Sequence, residues 1–316
     1  MVVPPTPENL KRAAQIIRMG GLVAFPTETV YGLGANALDA MAVARIFEAK
    51  ERPSFDPLIV HISDREMLQR VVQEVPALAE RLMARFWPGP LTLVLPKSAR
   101  IPEIVTAGLP TVAVRMPAHP VAQALIQQAG VPVAAPSANP FGYLSPTRAE
   151  HVERMLGKRV DLILDGGRTE FGVESTIVLL AEKPVVLRYG ALTVEALEQV
   201  VGEVTEQLEE RDKPLVPGQL PQHYAPHTPI RIAAAGEVPP AQRKRVGYLA
   251  FREVPKGFKV VKVLSPTGNL LEAAAHLFEA LHQLDRLGLE AIYAEPIPEV
   301  GLGRAIMDRL RRASSA

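Results

Sequence analysis

Leu22-Val23-Ala24-Phe25-Pro26-Thr27-Glu28-Thr29-Val30-Tyr31-Gly32-Leu33-Gly34 holds the key to the architecture. The apolar run Leu22–Phe25 is too short for a helix and reads as a buried strand. Pro26 ends it, and the next eight residues supply hydroxyls, a carboxylate and glycines before a helix begins. Open α/β sheets place ligands at strand ends of this kind. The plainer reading is a turn whose Thr side chains bond their own backbone.

Outward from this point the same grammar repeats. Upstream, Leu10, Ala13, Ala14, Ile16 and Ile17 make a one-sided stripe over Pro7 to Met19, the mark of an amphipathic helix, and Gly20-Gly21 stops it. Downstream, Asp39 is placed to cap a helix running to Ala49. Strands are expected at Leu58 to Ile62, Leu91 to Leu95, Val112 to Arg115, Val131 to Ala135, Leu162 to Leu164, Ser175 to Leu180 and Val185 to Leu187. Helices are expected at Pro76–Phe86, Pro120–Ala129, Thr147–Leu156 and Thr193–Val200. Such mixed spacing implies an α/β sheet with parallel and antiparallel pairs.

The chain has 316 residues, about twice a usual domain, so two domains are expected. From Gly202 to Pro229 it turns charged and then rich in turn residues, which marks the boundary. The expected division is a catalytic domain over 1–202, a linker or lid over 203–229 and a small α/β domain over 230–316. In the last, strands are expected at Arg231–Ala233, Val246–Phe251 and Ala291–Ala294, and helices at Leu270 to Leu287 and Gly303–Ala313.

Composition removes whole classes of chemistry. There is no cysteine, hence no disulfide, thiol nucleophile or thiolate metal site. The net charge of +1 draws neither nucleic acid nor an anionic membrane. No apolar run approaches the ~20 residues of a membrane span, and Met1 to Leu10 lacks the shape of a secretory signal, so a cytoplasmic protein is expected. A phosphate loop and a nucleophile elbow are both missing. Gly32-x-Gly34 lacks the third glycine of a dinucleotide fingerprint, and Pro226 bars His223 and His227 from one helix face. No metal site made only of side chains is expected. The 30 prolines are spread along the chain, mostly where an element stops.

Lys50-Glu51-Arg52-Pro53 closes the second helix, where cations complement the helix dipole or, held rigidly, grip phosphates. Arg115 lies in an apolar strand and needs a carboxylate, from the protein or from a ligand. His61 reads first as a hydrogen-bonded core histidine. Ala135-Pro136-Ser137-Ala138-Asn139-Pro140, Asp165-Gly166-Gly167 and Gly172-Val173-Glu174-Ser175-Thr176 are further strand ends opening into small polar residues. So many converging ends point to one shared crevice.

These segments carry a family resemblance. Phe25–Leu33, Lys50–Pro53, Phe86-Trp87-Pro88-Gly89-Pro90-Leu91-Thr92, Val114–Pro117, Pro136–Asn139, Gly172–Ile177 and His223-Tyr224-Ala225-Pro226-His227-Thr228-Pro229 resemble the motifs of the threonylcarbamoyl-AMP synthases of the YrdC/YwlC family in their two-domain form. The resemblance implies a YrdC-like twisted mixed sheet with flanking helices, plus a smaller C-terminal α/β, Rossmann-like domain. It also implies synthesis of threonylcarbamoyl-AMP and pyrophosphate from L-threonine, bicarbonate and ATP, for threonylcarbamoyladenosine modification of tRNA. Thr29, His61, Arg115 and Ser175 are then implied to hold threonine. Lys50, Arg52, Asp56, Thr111, Ala135, Ser137, Asn139, Ser145, Arg188 and Tyr224 are implied to surround ATP, with Lys50 and Arg52 catalytic and Mg2+ arriving with ATP. The downstream tRNA threonylcarbamoyl-transfer machinery is the implied partner, with at most weak RNA contact and no membrane. His223-Tyr224 in the linker is the candidate lid.

The chain departs from the family pattern at Asp56 (usually Asn), at Phe141-Gly142 (Ser-Gly), at Arg168 and Tyr189 (Pro), and at Leu220 and Gln222 (basic). The main alternative is a double-stranded RNA or tRNA-binding module without adenylate synthesis, which the near-neutral charge disfavours. A carbamoyl-adenylate synthase of hydrogenase maturation would bring zinc fingers, and this chain has no cysteine.

Overall fold

The computed structural model describes residues 1–208, 213–220 and 223–315. Its large sheet runs, edge to edge, Val2–Val3, Leu162–Leu164, Val23–Pro26, Tyr31–Asn36, Val133–Ala134, Ile59–His61, Thr111–Arg115, Leu91–Pro96, Thr176–Leu180, Pro184–Arg188 and Thr205–Glu206. Parallel and antiparallel pairs alternate irregularly, so the sheet is mixed. Helices Pro7–Arg18 and Pro120–Ala129 pack on each other beside it.

The opening motif is a tight antiparallel hairpin, with Phe25 opposite Gly32 and Val23 opposite Gly34. The sequence suggests one strand and a long turn; the turn is only Thr27–Val30, and Tyr31–Asn36 is itself a strand. Its glycines blur the alternation that would have marked it. Gly34 is required there because a Cβ would lie 2.7 Å from the Phe25 ring. Short elements at Arg65–Val71 and Glu103–Thr106 carry too few residues for a readable period.

The second sheet is wholly parallel, in the order Ile230–Ile232, Ile292–Ala294, Gly247–Ala250, Val260–Val263. Helices Leu270–Asp285 and Leu302–Ser314 pack together against it. One apolar cluster joins this domain to the first: Val30, Leu144, Val173, Ala191 and Tyr224 are buried with Phe278, Leu281, Ile306 and Leu310. Gly172 allows the close approach. Its φ is +68°, and a Cβ there would sit 2.6 Å from the Ala274 carbonyl oxygen.

Thr205–Glu206, within the expected linker, extends the large sheet by pairing with Val185 and Val186. Residues 209–212 and 221–222, Gln222 among them, lie outside the described residues.

Candidate active site

Segments from along most of the chain meet at one end of the large sheet around a cavity of about 50 Å³. Its wall includes Thr29, His61, Arg115 and Ser175, with Arg52, Ala135, Ser137, Arg188 and Tyr224. The four residues implied for threonine thus come together, and five of those implied for ATP share their cavity. Lys50, Asp56, Thr111, Asn139 and Ser145 are not on that wall.

Arg115 organises one side of the cavity. Its Nη1 donates to Thr29 Oγ1 at 2.9 Å, its Nη2 to Glu28 Oε1 at 2.5 Å and its Nε to the Gly89 carbonyl at 3.2 Å. The buried charge therefore finds a protein carboxylate, Glu28, whose second oxygen accepts from Ala118 N at 3.1 Å. Two of the five guanidinium N–H bonds have no acceptor among the described residues. Thr29 is aimed by its own turn: Thr27 Oγ1 accepts from Thr29 N, donates to the Val30 carbonyl and lies 2.8 Å from Thr29 Oγ1.

His61 stands beside Arg115 in parallel register. Its Nδ1 has no hydrogen-bond partner among the described residues, so the ring is not fully satisfied as the plainer reading expects. Burial and then the charge of Arg115 push it down to about 3, so it faces the cavity as a neutral imidazole. Opposite, Ser175 Oγ lies 2.7 Å from Thr92 Oγ1. Arg188 clamps the same residue, donating to the Ser175 carbonyl from Nε and Nη2 at 3.1 and 2.9 Å and to the Pro217 carbonyl at 3.1 Å.

The basic pair is buried rather than extended. Lys50 Nζ donates to the Ser137 and Asn139 carbonyls at 2.6 and 2.5 Å. Burial, then Arg52, hold its pKa well below the ordinary lysine value. Arg52 donates to the Asp56 and Pro57 carbonyls and pairs with Asp56 Oδ2 at 2.8 Å. Asp56 is fully buried, and Oδ1 has no hydrogen-bond donor; burial raises its pKa against the pull of Arg52 and Lys50. Asn139 Nδ2 donates to the Pro140 and Tyr143 carbonyls, and Ser145 Oγ to Glu174 Oε1 at 2.5 Å. Thr111 opens its strand opposite Pro96.

The linker closes the cavity with Pro217, His223 and Tyr224. Tyr224 takes a φ of 63° and is 1% exposed, its ring 4.1 Å from that of His223. Residues that sequence reasoning missed are charged partners: Glu28, Glu174 and Arg309, with Thr27 and Thr92 as hydroxyl supports. Arg309 had one signal, its place among Ile306, Leu310 and Ala313 on the apolar side of its helix.

Four buried histidines share one electrostatic state. Burial and nearby cations lower His61 and His151 to about 3, His282 to about 4 and His223 well below its usual value. His151 and His282 stack across the domain junction at 4.1 Å. A depressed histidine pKa stabilises the fold above ~6.5 and loses that contribution as pH falls, by up to ~1.4 kcal/mol per pH unit per group. The raised Asp56 acts in the opposite sense, one group against four. Thermal unfolding at low salt should therefore show Tm falling by more than ~5 °C between pH 7 and pH 5; a flat profile would mean that the histidines titrate in the fold as they do in the unfolded chain.

Residues 15–190 match the Sua5/YciO/YrdC family model, described as telomere recombination, and residues 192–315 match the threonylcarbamoyl-AMP synthase C-terminal domain. The chain is 48% identical to the threonylcarbamoyl-AMP synthase of Pyrococcus abyssi (strain GE5 / Orsay), over 97% of this chain and 94% of that one. It is 45% identical to that of Bacillus subtilis (strain 168), over 97% and 93%. The crystal structure of P. abyssi Sua5 complexed with L-threonine superposes with a TM-score of 0.94 at 44% identity, covering 99% of this chain and 97% of that one. The chain belongs to the Sua5/YciO/YrdC family, in the form that carries the threonylcarbamoyl-AMP synthase C-terminal domain.

Proposed function

We propose that the cavity around Arg115 is the threonine pocket of an L-threonylcarbamoyladenylate synthase, which converts L-threonine, bicarbonate and ATP to threonylcarbamoyl-AMP and pyrophosphate. One observation carries the reading. Arg115, Thr29, His61 and Ser175 line one cavity with Arg52 and Arg188, so an amino acid and a nucleotide phosphate can be held side by side.

Arg115 keeps an N–H on each terminal nitrogen for the threonine carboxylate, a bidentate contact. Neutral His61 leaves an unpartnered ring nitrogen for the substrate's polar groups, and Ser175 adds a hydroxyl. Holding the amino acid there raises the effective concentration of its nitrogen for attack on the bicarbonate carbon, where the N–C bond forms, a C–O bond breaks and water leaves to give the carbamate. The carbamate oxygen attacks the α-phosphorus and the α–β phosphoanhydride breaks. Negative charge then develops on phosphate oxygens and pyrophosphate, beside Arg52 and Lys50. A phosphate arriving there restores the favourable field that burial denies to Lys50. No protein nucleophile takes part.

Mg2+ would travel with ATP as part of the substrate. Among the described residues no group of three or more His, Asp or Glu side chains is arranged to hold a metal, so phosphate and water oxygens would be its main ligands. Asp56 is the nearest carboxylate to the basic pair and is already engaged with Arg52. The ion would offset phosphate charge.

The cavity holds a few waters, not a nucleotide. Entry of ATP therefore requires Pro217, His223 and Tyr224 to move, making the linker a lid that shields the carbamate from hydrolysis. The product would pass to the tRNA threonylcarbamoyl-transfer machinery. We place the enzyme in the cytoplasm, where ATP and tRNA are at hand; no helix among the described residues is long and apolar enough to cross a membrane.

The test is pyrophosphate release from ATP with threonine and bicarbonate omitted in turn. Release should fall to background in both omissions. Release indifferent to threonine would sink the reading.

A further inference from the structure

We infer that Arg309, in the last helix of the small domain, is a positioning residue of the threonine site, an inference that rests on the synthase reading above. Arg309 is 1% exposed although it belongs to the other domain. Its Nε donates to Glu174 Oε2 at 2.8 Å, its Nη2 to the Tyr189 carbonyl at 2.9 Å and its Nη1 to Asp308 Oδ2 at 2.5 Å. Its guanidinium carbon lies 4.7 Å from the centre of the Tyr224 ring.

Apart from Asp308, each partner adjoins a residue of the cavity or belongs to it. Glu174 precedes Ser175, and its other oxygen takes the Ser145 hydroxyl. Tyr189 follows Arg188, and Tyr224 is the closing side chain of the linker. One planar group therefore sets the ends of two neighbouring strands and the lid ring relative to one another. Arg312, one turn on, extends the grip by donating to the Leu220 carbonyl at 2.9 Å and pairing with Asp308 at 3.1 Å. A buried ion pair adds little stability over apolar packing. What this one adds is orientation, because the guanidinium fork donates its hydrogen bonds only in its own plane. The small domain thereby contributes to the site without touching substrate.

The test compares Arg309→Met and Arg309→Lys with Arg148→Met. Arg148 pairs with Glu279 across the same domain junction at 3.1 Å and meets neither strand end. In Arg309→Met the KM for L-threonine and its calorimetric Kd should rise about tenfold, with kcat changed less than about threefold. Arg309→Lys keeps a charge beside Glu174 but loses the fork, and should show a rise of about threefold. Arg148→Met should stay within about twofold of the parent on both measures. Unchanged threonine affinity in Arg309→Met, or an equal loss in Arg148→Met, overturns the inference; if Arg309→Met does not fold, unchanged affinity in Arg309→Lys does so. The parent enzyme's threonine-dependent pyrophosphate release tests the synthase reading separately, and threonine calorimetry tests Arg309 whatever that release shows.

Discussion

Arg115→Met is expected to lower kcat/KM for L-threonine by about a thousandfold, equivalent to ~4 kcal/mol. Two losses combine. The bidentate seat for the carboxylate disappears, and Glu28, which receives Nη2 at 2.5 Å, becomes a buried charge without its partner. Thr29 also loses the donor that holds its hydroxyl toward the cavity. Arg115→Lys keeps a charge but not the fork, and should lose about a hundredfold. Calorimetric titration of threonine alongside steady-state pyrophosphate release separates binding from turnover. Threonine affinity within about tenfold of the parent in Arg115→Met would place the carboxylate elsewhere.

Lys50→Ala and Arg52→Ala should each reduce pyrophosphate release more than ~100-fold while leaving threonine affinity within about threefold. The structure sharpens what must be controlled. Lys50 anchors the 137–139 turn through two carbonyls, so its removal loosens a wall of the cavity as well as deleting a charge. Arg52→Ala leaves buried Asp56 uncompensated, which alone costs stability. The double variant Arg52→Ala/Asp56→Asn removes that penalty. Its thermal stability should recover while its rate does not. A recovered rate would show that Arg52 serves the fold rather than the phosphates.

Much of the candidate site was legible along the chain because it is built from the ends of strands and of one helix, and such ends are local. Thr29, Lys50, Arg52, Ser137 and Ser175 each sit where an apolar run gives way to Gly, Pro or hydroxyl residues. The need of Arg115 for a carboxylate was also readable, since a charge in an apolar strand is untenable alone. Which carboxylate was not, because Glu28 lies 87 residues away and only the hairpin's packing brings it near. His61 shows the opposite error. Its apolar surroundings suggested a satisfied core residue, yet its buried Nδ1 has no partner among the described residues.

The elements that escaped notice are those with weak periods. Tyr31–Asn36 is a strand carrying two glycines, and Thr205–Glu206 is a two-residue edge strand held by pairing alone. Neither advertises itself through side chains, because backbone hydrogen bonds to neighbouring strands define both.

The amino-acid order sufficed for the α/β class, the absence of thiol chemistry, the basic pair behind the second helix and the family motifs, since each depends on residue type and short spacing. Tertiary structure decided the rest. It turned Lys50 onto carbonyls, gave Arg115 and Arg52 their carboxylates, held four histidines in an apolar interior and pressed Arg309 of one domain onto Glu174 of the other. Coulomb energy and desolvation depend on distance and burial, and neither is a property of position along the chain.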